Sequence, residues 1–268
     1  MSVSPRFSCS PDGQSIPFAA YSNGTTDIWK ITRDNTTPVR VVASSGMDDS
    51  PRWLYDGSGF VFRSNRTVRF TLWMCDPNGN DQKQIVPDTG NGYTSWPIPS
   101  PRLPLIAFSR SFGTMFVFDY AHGTLVQLTP DLVEPNSNFP AWSPLGDKLA
   151  FEVQHGLYVW GASKGLRSYW TDDDFIFNPS WSPDGQEIAF NAWDRLEALN
   201  LATHEVRSVA SGMAYGGRCC WSPDGRMIAM ETQDPPRIVV MPRNGGIGYE
   251  LLMGEDAAVA PKWIKAIW

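Results

Sequence analysis

The chain has 268 residues, with 22 Lys and Arg against 28 Asp and Glu, a formal net charge of −6 and no clustered basic stretch. Nucleic acid is therefore not an expected partner. No apolar run approaches the roughly 20 residues needed to cross a bilayer, so no membrane span is expected either. Twelve Trp and 13% aromatic residues require a large packed core.

Short β runs separated by turn residues follow one another along the whole chain, and no stretch carries the apolar spacing of a helix. The first unit, about 6–43, predicts strands at Phe7 to Ser10, Ile16 to Tyr21, Asp27 to Ile31 and Val39 to Val42. The second, about 44–86, carries Arg66 and Arg69 in its central loop. The third, about 87–129, is the odd one. Its Trp96-Pro97-Ile98-Pro99-Ser100-Pro101 run puts proline, which cannot donate to a ladder, where a strand should begin. A frayed first strand or a reshaped channel wall is expected there. Units four (130–171) and five (172–210) are the most regular, and unit six ends near 253. The tail Pro261 to Trp268 begins a seventh copy. It is expected to help close a ring by displacing the Phe7 segment. Pairing elsewhere on the first or sixth unit, or an unfinished seventh blade, are the alternatives.

The repeat is carried by one phrase. Trp181-Ser182-Pro183-Asp184-Gly185 followed by Ile188-Ala189-Phe190 reads strand, tight turn, strand. Pro183 and Asp184 suit the turn, and Gly185 can take a positive φ after it. Near copies begin at Cys9, Trp53, Pro99, Trp142 and Trp221, and a partial one at Trp263. The period is about 42 residues, which fits a four-stranded propeller blade. The expected fold is all-β, a six-bladed β-propeller of four-stranded antiparallel blades forming one domain over 1–268.

The Pro-x-Trp-Ser-Pro-Asp-Gly-x-x-Ile-Ala-Phe pattern, matched throughout by Pro179 to Phe190, resembles the TolB-like, or PD40, β-propeller repeat. The resemblance covers nearly the whole chain. It implies the fold and leaves function open, because propellers of this kind include partner-binding proteins, accessory domains of peptidases, and lyases.

The start of the chain has no charged segment followed by an apolar one. A cytoplasmic protein is expected, or a periplasmic or secreted one whose signal was removed. The four Cys read as buried free thiols. A monomer is expected, with no cofactor and no metal. The three His (122, 155 and 204) are too few and too scattered for a His-rich metal site. There is no Gly-x-Ser-x-Gly elbow.

Function is expected at the channel mouth, where the loops entering each blade meet its central loops. Three positions before the Trp column stand Arg6, Ser50, Trp96, Phe139, Asn178, Arg218 and Ala260. Sheet packing does not demand that mixture. With Phe177, Trp193 and Tyr215 nearby, Trp96, Phe139, Asn178 and Arg218 form the candidate ligand-binding set, rings with a few polar groups. The leading expectation is non-catalytic binding of a small ligand or a protein partner at this mouth. The first alternative is a lyase, isomerase or cyclase using Asp49 or Asp173 as acid or base and Arg218 as charge stabiliser. The second is a sugar-binding, lectin-like propeller. The sequence does not decide whether the chain is an enzyme.

Overall fold

The computed structural model describes residues 2–87, 93–95, 97–110, 113–129, 138–171, 176–212, 216–233 and 236–251. Six four-stranded antiparallel sheets account for them, with no helix among the described residues. The six-bladed propeller of four-stranded blades expected from the repeat is the fold found.

The chain falls into two compact units. In the first, Met1–Pro135, sheet one is β1 (Ser2–Phe7), β2 (Ser15–Ser22), β3 (Thr25–Thr32) and β4 (Val39–Val42). Sheet two is β5 (Asp48–Trp53), β6 (Phe60–Ser64), β7 (Thr71–Cys75) and β8 (Lys83–Gln84). Sheet three is β9 (Ile98–Pro99), β10 (Leu105–Arg110), β11 (Thr114–Asp119) and β12 (Thr124–Gln127). In the second unit, Asn136–Trp268, sheet four is β13 (Asn138–Trp142), β14 (Lys148–Val153), β15 (Gly156–Gly161) and β16 (Gly165–Thr171). Sheet five is β17 (Ile176–Trp181), β18 (Glu187–Ala192), β19 (Arg195–Asn200) and β20 (Val206–Ala210). Sheet six is β21 (Gly216–Trp221), β22 (Met227–Gln233), β23 (Pro236–Pro242) and β24 (Tyr249–Leu251).

A Ser-Pro-Asp-Gly turn closes sheets one, five and six at one end, and variants of it close the other three. In sheet five Gly185 N–H donates to Ser182 O at 2.9 Å, and Gly185 takes φ +67°. The buried Ser182 hydroxyl donates to Asp184 Oδ1 at 2.6 Å and accepts from Glu187 N–H at 2.9 Å. That hydroxyl holds the Asp184 carboxyl below the ordinary carboxylate range. Sheet six repeats the arrangement with Ser222, Asp224 and Gly225 at φ +69°.

The Trp column ties one sheet to the next. Trp181 Nε1–H donates to Ala141 O at 2.9 Å, and Trp221 Nε1–H donates to Ser180 O at 3.0 Å. Each indole thus reaches the first strand of the preceding sheet. Between the sheets lies the core. Phe60, Phe62, Phe108, Phe151 and Phe190 are fully enclosed, and other second-strand residues such as Ile106, Leu149 and Ile188 pack with third-strand residues such as Ile28, Leu72, Leu157 and Leu196.

Register shifts mark the first strands. They fall at Val3/Phe7, Asp49/Arg52, Asn138/Ala141, Phe177/Ser180 and Gly216/Cys219. Pro5, Pro51, Pro140 and Pro179 stand in four of them. Proline has no N–H to give the ladder, so the strand bulges there. Sheet three has the frayed first strand expected of it: β9 is two residues long.

Two expectations need correction. The Phe7 segment keeps the first-strand place beside β2, with Phe7 paired to Phe18, so no other segment displaces it. The 260–268 tail itself lies outside the described residues. Cys9 is exposed, because β1 stops at Phe7 before reaching it. Cys75 and Cys219 are buried, and burial pushes both thiols up to about 12, which leaves them inert.

Gly185 tests the turn. A Cβ there would sit 3.7 Å from Pro144 Cδ, so space is not limiting and the positive φ is. Gly185→Val should destabilise by about 1–3 kcal/mol in denaturant unfolding, and Gly185→Asn by clearly less. Equal stability of all three proteins would remove the turn from the account.

Candidate functional site

In every sheet the start of the first strand, the loop between second and third strands, and the end of the fourth strand share one end. In sheet two that end is strongly ionic. Asp49, a candidate acid or base, pairs with Arg63 across the β5–β6 ladder. The guanidinium grips it through both forks, Nε to Oδ1 at 2.8 Å and Nη2 to Oδ2 at 2.6 Å. Its neighbour Asp48 is fully buried and meets Arg66 at 2.8 Å. Arg66 also donates to Gln82 Oε1 at 2.6 Å and lies 4.5 Å over the Trp73 ring. Both carboxylates are therefore anchored by guanidinium groups of the same sheet.

In sheets five and six the candidates separate. Phe177 is half-buried and pairs with Asn191. Asn178 sits in the bulge with φ +52°, a conformation Asn tolerates, and its Nδ2 donates to Gly217 O at 3.4 Å. Trp193 occupies the two-residue turn between β18 and β19 with φ +56° and is 43% exposed. Arg218 is exposed on β21. Phe139 lies on β13, in the bulge. Trp96, Asp173 and Tyr215 lie outside the described residues.

Sequence reasoning missed two buried polar groups. Glu152 on β14 is 5% exposed, and burial pushes its carboxyl up to about 7 against a single opposing contact, the His155 backbone N–H. Asn191 on β18 is fully buried; its Nδ2 donates to Gly217 O while its Oδ1 has no partner. Both occupy the position just after the Phe column, which reads Ala19, Arg63, Ser109, Glu152, Asn191 and Glu231 along the chain. The alternation of a strand puts that column on the face opposite the Phe core. Comparing it across the repeats is the signal that could have found them.

The same end of unit one is a continuous rim. Thr25 Oγ1 donates to Gly46 O at 3.1 Å, and Met47 N–H donates to Asn65 Oδ1 at 2.6 Å. Val68 N–H donates to Asn65 O at 2.9 Å, and Thr94 N–H to Phe70 O at 2.9 Å. These bonds link loops of sheets one, two and three. On them Tyr21, Met47, Val68 (86% exposed) and Tyr93 (71% exposed) face solvent. Val68 also has φ +97°, an outlier for a β-branched residue. A groove of about 580 Å³ lies at the opposite, turn end of sheets one and two, lined by Asp12, Lys30, Arg33, Asp34 and Asp56 among others.

Among solved structures, an oligogalacturonate lyase in complex with manganese superposes with a TM-score of 0.69 at 14% identity, covering 91% of this chain and 75% of that one. TolB from Acinetobacter baumannii gives 0.54 at 18% identity, covering 87% and 62%. The fold is that of the TolB-like β-propellers. No family model matches the chain. An uncharacterised protein of Agrobacterium fabrum is 28% identical over 155 residues, 53% of this chain and 52% of that protein. The chain thus spans about half the length of this relative. These likenesses establish architecture alone. Among the described residues no three His, Cys, Asp or Glu side chains come together in a way that could hold a metal.

Two variants probe these groups. Arg66→Met leaves the enclosed Asp48 charge uncompensated and should cost about 3–5 kcal/mol of unfolding free energy. Adding Asp48→Leu should recover most of that loss, and failure to recover it would show that the pair does not act as a unit. Glu152 binds its proton more tightly in the folded chain than in the unfolded one, where Glu titrates near 4.5. Its ionisation therefore costs nothing below about pH 4.5, costs more as pH rises to about 7, and is level above that. Glu152→Gln should raise the melting temperature at pH 8 and leave it nearly unchanged at pH 4.5. An equal shift at both values would contradict the burial of this carboxyl.

Proposed function

We propose that this chain is a non-catalytic binding propeller that engages a protein partner through the loop end of sheets one to three. The observation that carries the reading is the rim itself. Four large apolar side chains stand exposed there, Tyr21 near the end of β2 and Met47, Val68 and Tyr93 on the loops that hydrogen bonds tie together. A monomer in water gains nothing from such a surface, and exposed apolar groups set on a rigid frame are what a partner's apolar side chains bury against. The carboxylates of the same end are engaged by Arg63 and Arg66 within their own sheet.

A second reading has one specific observation behind it. Glu152 titrates near neutral pH, as a general acid or base must. With the likeness to an oligogalacturonate lyase, this supports an enzyme that eliminates across an acidic oligosaccharide, with Glu152 exchanging the proton.

One experiment separates the two. Extract from the native host is passed over the immobilised chain, the Val68→Ser/Tyr93→Ser variant and the Leu145→Ser variant. Leu145 is an exposed apolar residue at the opposite end of its sheet. A partner retained by the wild type and Leu145→Ser, and lost by the double variant at unchanged melting temperature, is the expected result. Identical retention by all three would sink the partner reading. So would turnover of oligogalacturonate by the wild type that disappears in Glu152→Gln.

A further inference from the structure

In the first unit, the β3–β4 hairpin of sheet one faces the turn joining β7 to β8 of sheet two across a cleft of about 360 Å³. Lys30, Asn35, Thr37 and Arg40 line it from sheet one, and Asn78 and Asn80 from sheet two. A cleft of this size takes a small molecule. Packing fixes its two walls. Gly79 takes φ +86°, and a Cβ there would lie 2.0 Å from Val41 O, so the turn is pressed against β4 and only glycine permits it.

Lys30 joins the two walls. It is half-buried, and its ammonium group reaches from β3 to donate to Pro77 O at 2.6 Å and to Asn78 Oδ1 at 3.1 Å. Both acceptors are neutral, and no carboxylate lines the cleft. Asp76, in the same turn, directs its carboxylate to the turn's own donors: Asn78 N–H at 2.8 Å, Asn80 N–H at 2.7 Å and Asn80 Nδ2 at 3.3 Å. Arg40 is engaged by the enclosed Asp27 at 3.3 Å. Lys30 is therefore a cation with no ion pair among the described residues, in a chain of net charge −6.

The carboxamides add donors. Asn78 Oδ1 is taken by the Lys30 ammonium group, and Asn35 Oδ1 by Thr37 N–H at 3.0 Å. Neither amide can exchange its oxygen and nitrogen without setting donor against donor. The Asn78 nitrogen shares a carbon with the oxygen that Lys30 holds, so it stands beside the ammonium group. Neither NH2 group has an acceptor among the described residues. The cleft thus offers a third ammonium N–H, two amide donors and one positive charge. A cation finds no counter-charge here. The adjoining turn-end groove shares Lys30 but adds Asp12, Asp34 and Asp56, which oppose an anion on that side. A tetrahedral oxyanion carries the negative charge and the several acceptor oxygens that complement this donor set.

We propose that this cleft binds a small molecule by its tetrahedral oxyanion, a phosphoryl or sulfuryl group, held by Lys30, Asn35 and Asn78. The cleft lies at the turn end of its sheets, away from the rim, and does not rest on the partner reading.

The test is calorimetric titration of the full chain with glycerol 3-phosphate, inorganic phosphate and inorganic sulfate, with glycerol and acetate as comparisons at one ionic strength. The expected result is saturable one-site binding of the tetrahedral anions and none of glycerol. Tighter binding of glycerol 3-phosphate than of sulfate would indicate a phosphorylated ligand, and the reverse a sulfated one. Lys30→Met should weaken binding tenfold or more. Asn78→Asp keeps the acceptor that Lys30 uses, removes the NH2 group and gives Lys30 a counter-ion. It should therefore abolish binding without lowering the melting temperature, which keeps the test free of a folding defect. Absence of saturable binding, equal binding of acetate, or wild-type affinity in Asn78→Asp would each overturn the proposal. So would binding lost in Arg33→Met and kept in Lys30→Met, because Arg33 lines the adjoining groove.

Discussion

The indole N–H of the Trp column is the contact on which much of the second unit depends. Trp181 reaches back to Ala141 O and Trp221 reaches back to Ser180 O, in each case from one first strand to the one before it. A buried indole without a partner is costly, so each tryptophan fixes the distance and rotation between two sheets as well as filling space between them. The turn adds a second tie at the same end. Gly185 packs toward Pro144 and Gly225 toward Pro183, so each closed turn rests on the preceding one. Trp53 in the first unit lacks this tie: its Nε1 has no partner, and β1 of the preceding sheet ends at Phe7, one residue short of the equivalent carbonyl at Ser8.

Because one end of each sheet is fixed in this way, the other end is free to vary. The register shifts sit between the two. Proline at 51 and 179 denies the ladder a donor, the strand bulges, and the residue just before it leaves the regular alternation. The same backbone device carries Ser50 in one sheet and Asn178 in another, both with positive φ. Chemistry can change at these positions without disturbing the core beneath them.

The two units use that freedom differently. In sheet two, buried carboxylates are matched by arginines that also lie over aromatic rings, as Arg63 does over Phe70 and Arg66 over Trp73. Charge is neutralised internally, and the loops above present apolar side chains. In sheets five and six, carboxamides and a carboxylate gather around Gly217, and Glu231 has no ion pair among the described residues. Each arrangement leaves one enclosed acceptor without a partner, Asp48 Oδ2 in sheet two and Asn191 Oδ1 in sheet five.

The architecture was legible in the chain because its determinants are local. A Ser-Pro-Asp-Gly turn is specified by four adjacent residues, and the β runs on either side follow from alternation, so six repeats at a period of about 42 residues predict six sheets. The frayed start of sheet three followed from proline alone. The candidate site was legible only in part. Asn178, Phe177, Trp193 and Arg218 were placed near a loop end by counting. Counting could not show that Arg63 grips Asp49 from 14 residues away, that Asn191 reaches Gly217 across 26, or that Glu152 is enclosed. Those facts depend on which strands lie side by side and how far each side chain is removed from water. The sequence by itself determined where the chain turns and how often. The tertiary structure alone decided which charges are matched and which acceptors are left without a donor, because hydrogen bonding and desolvation act between residues that only packing brings together.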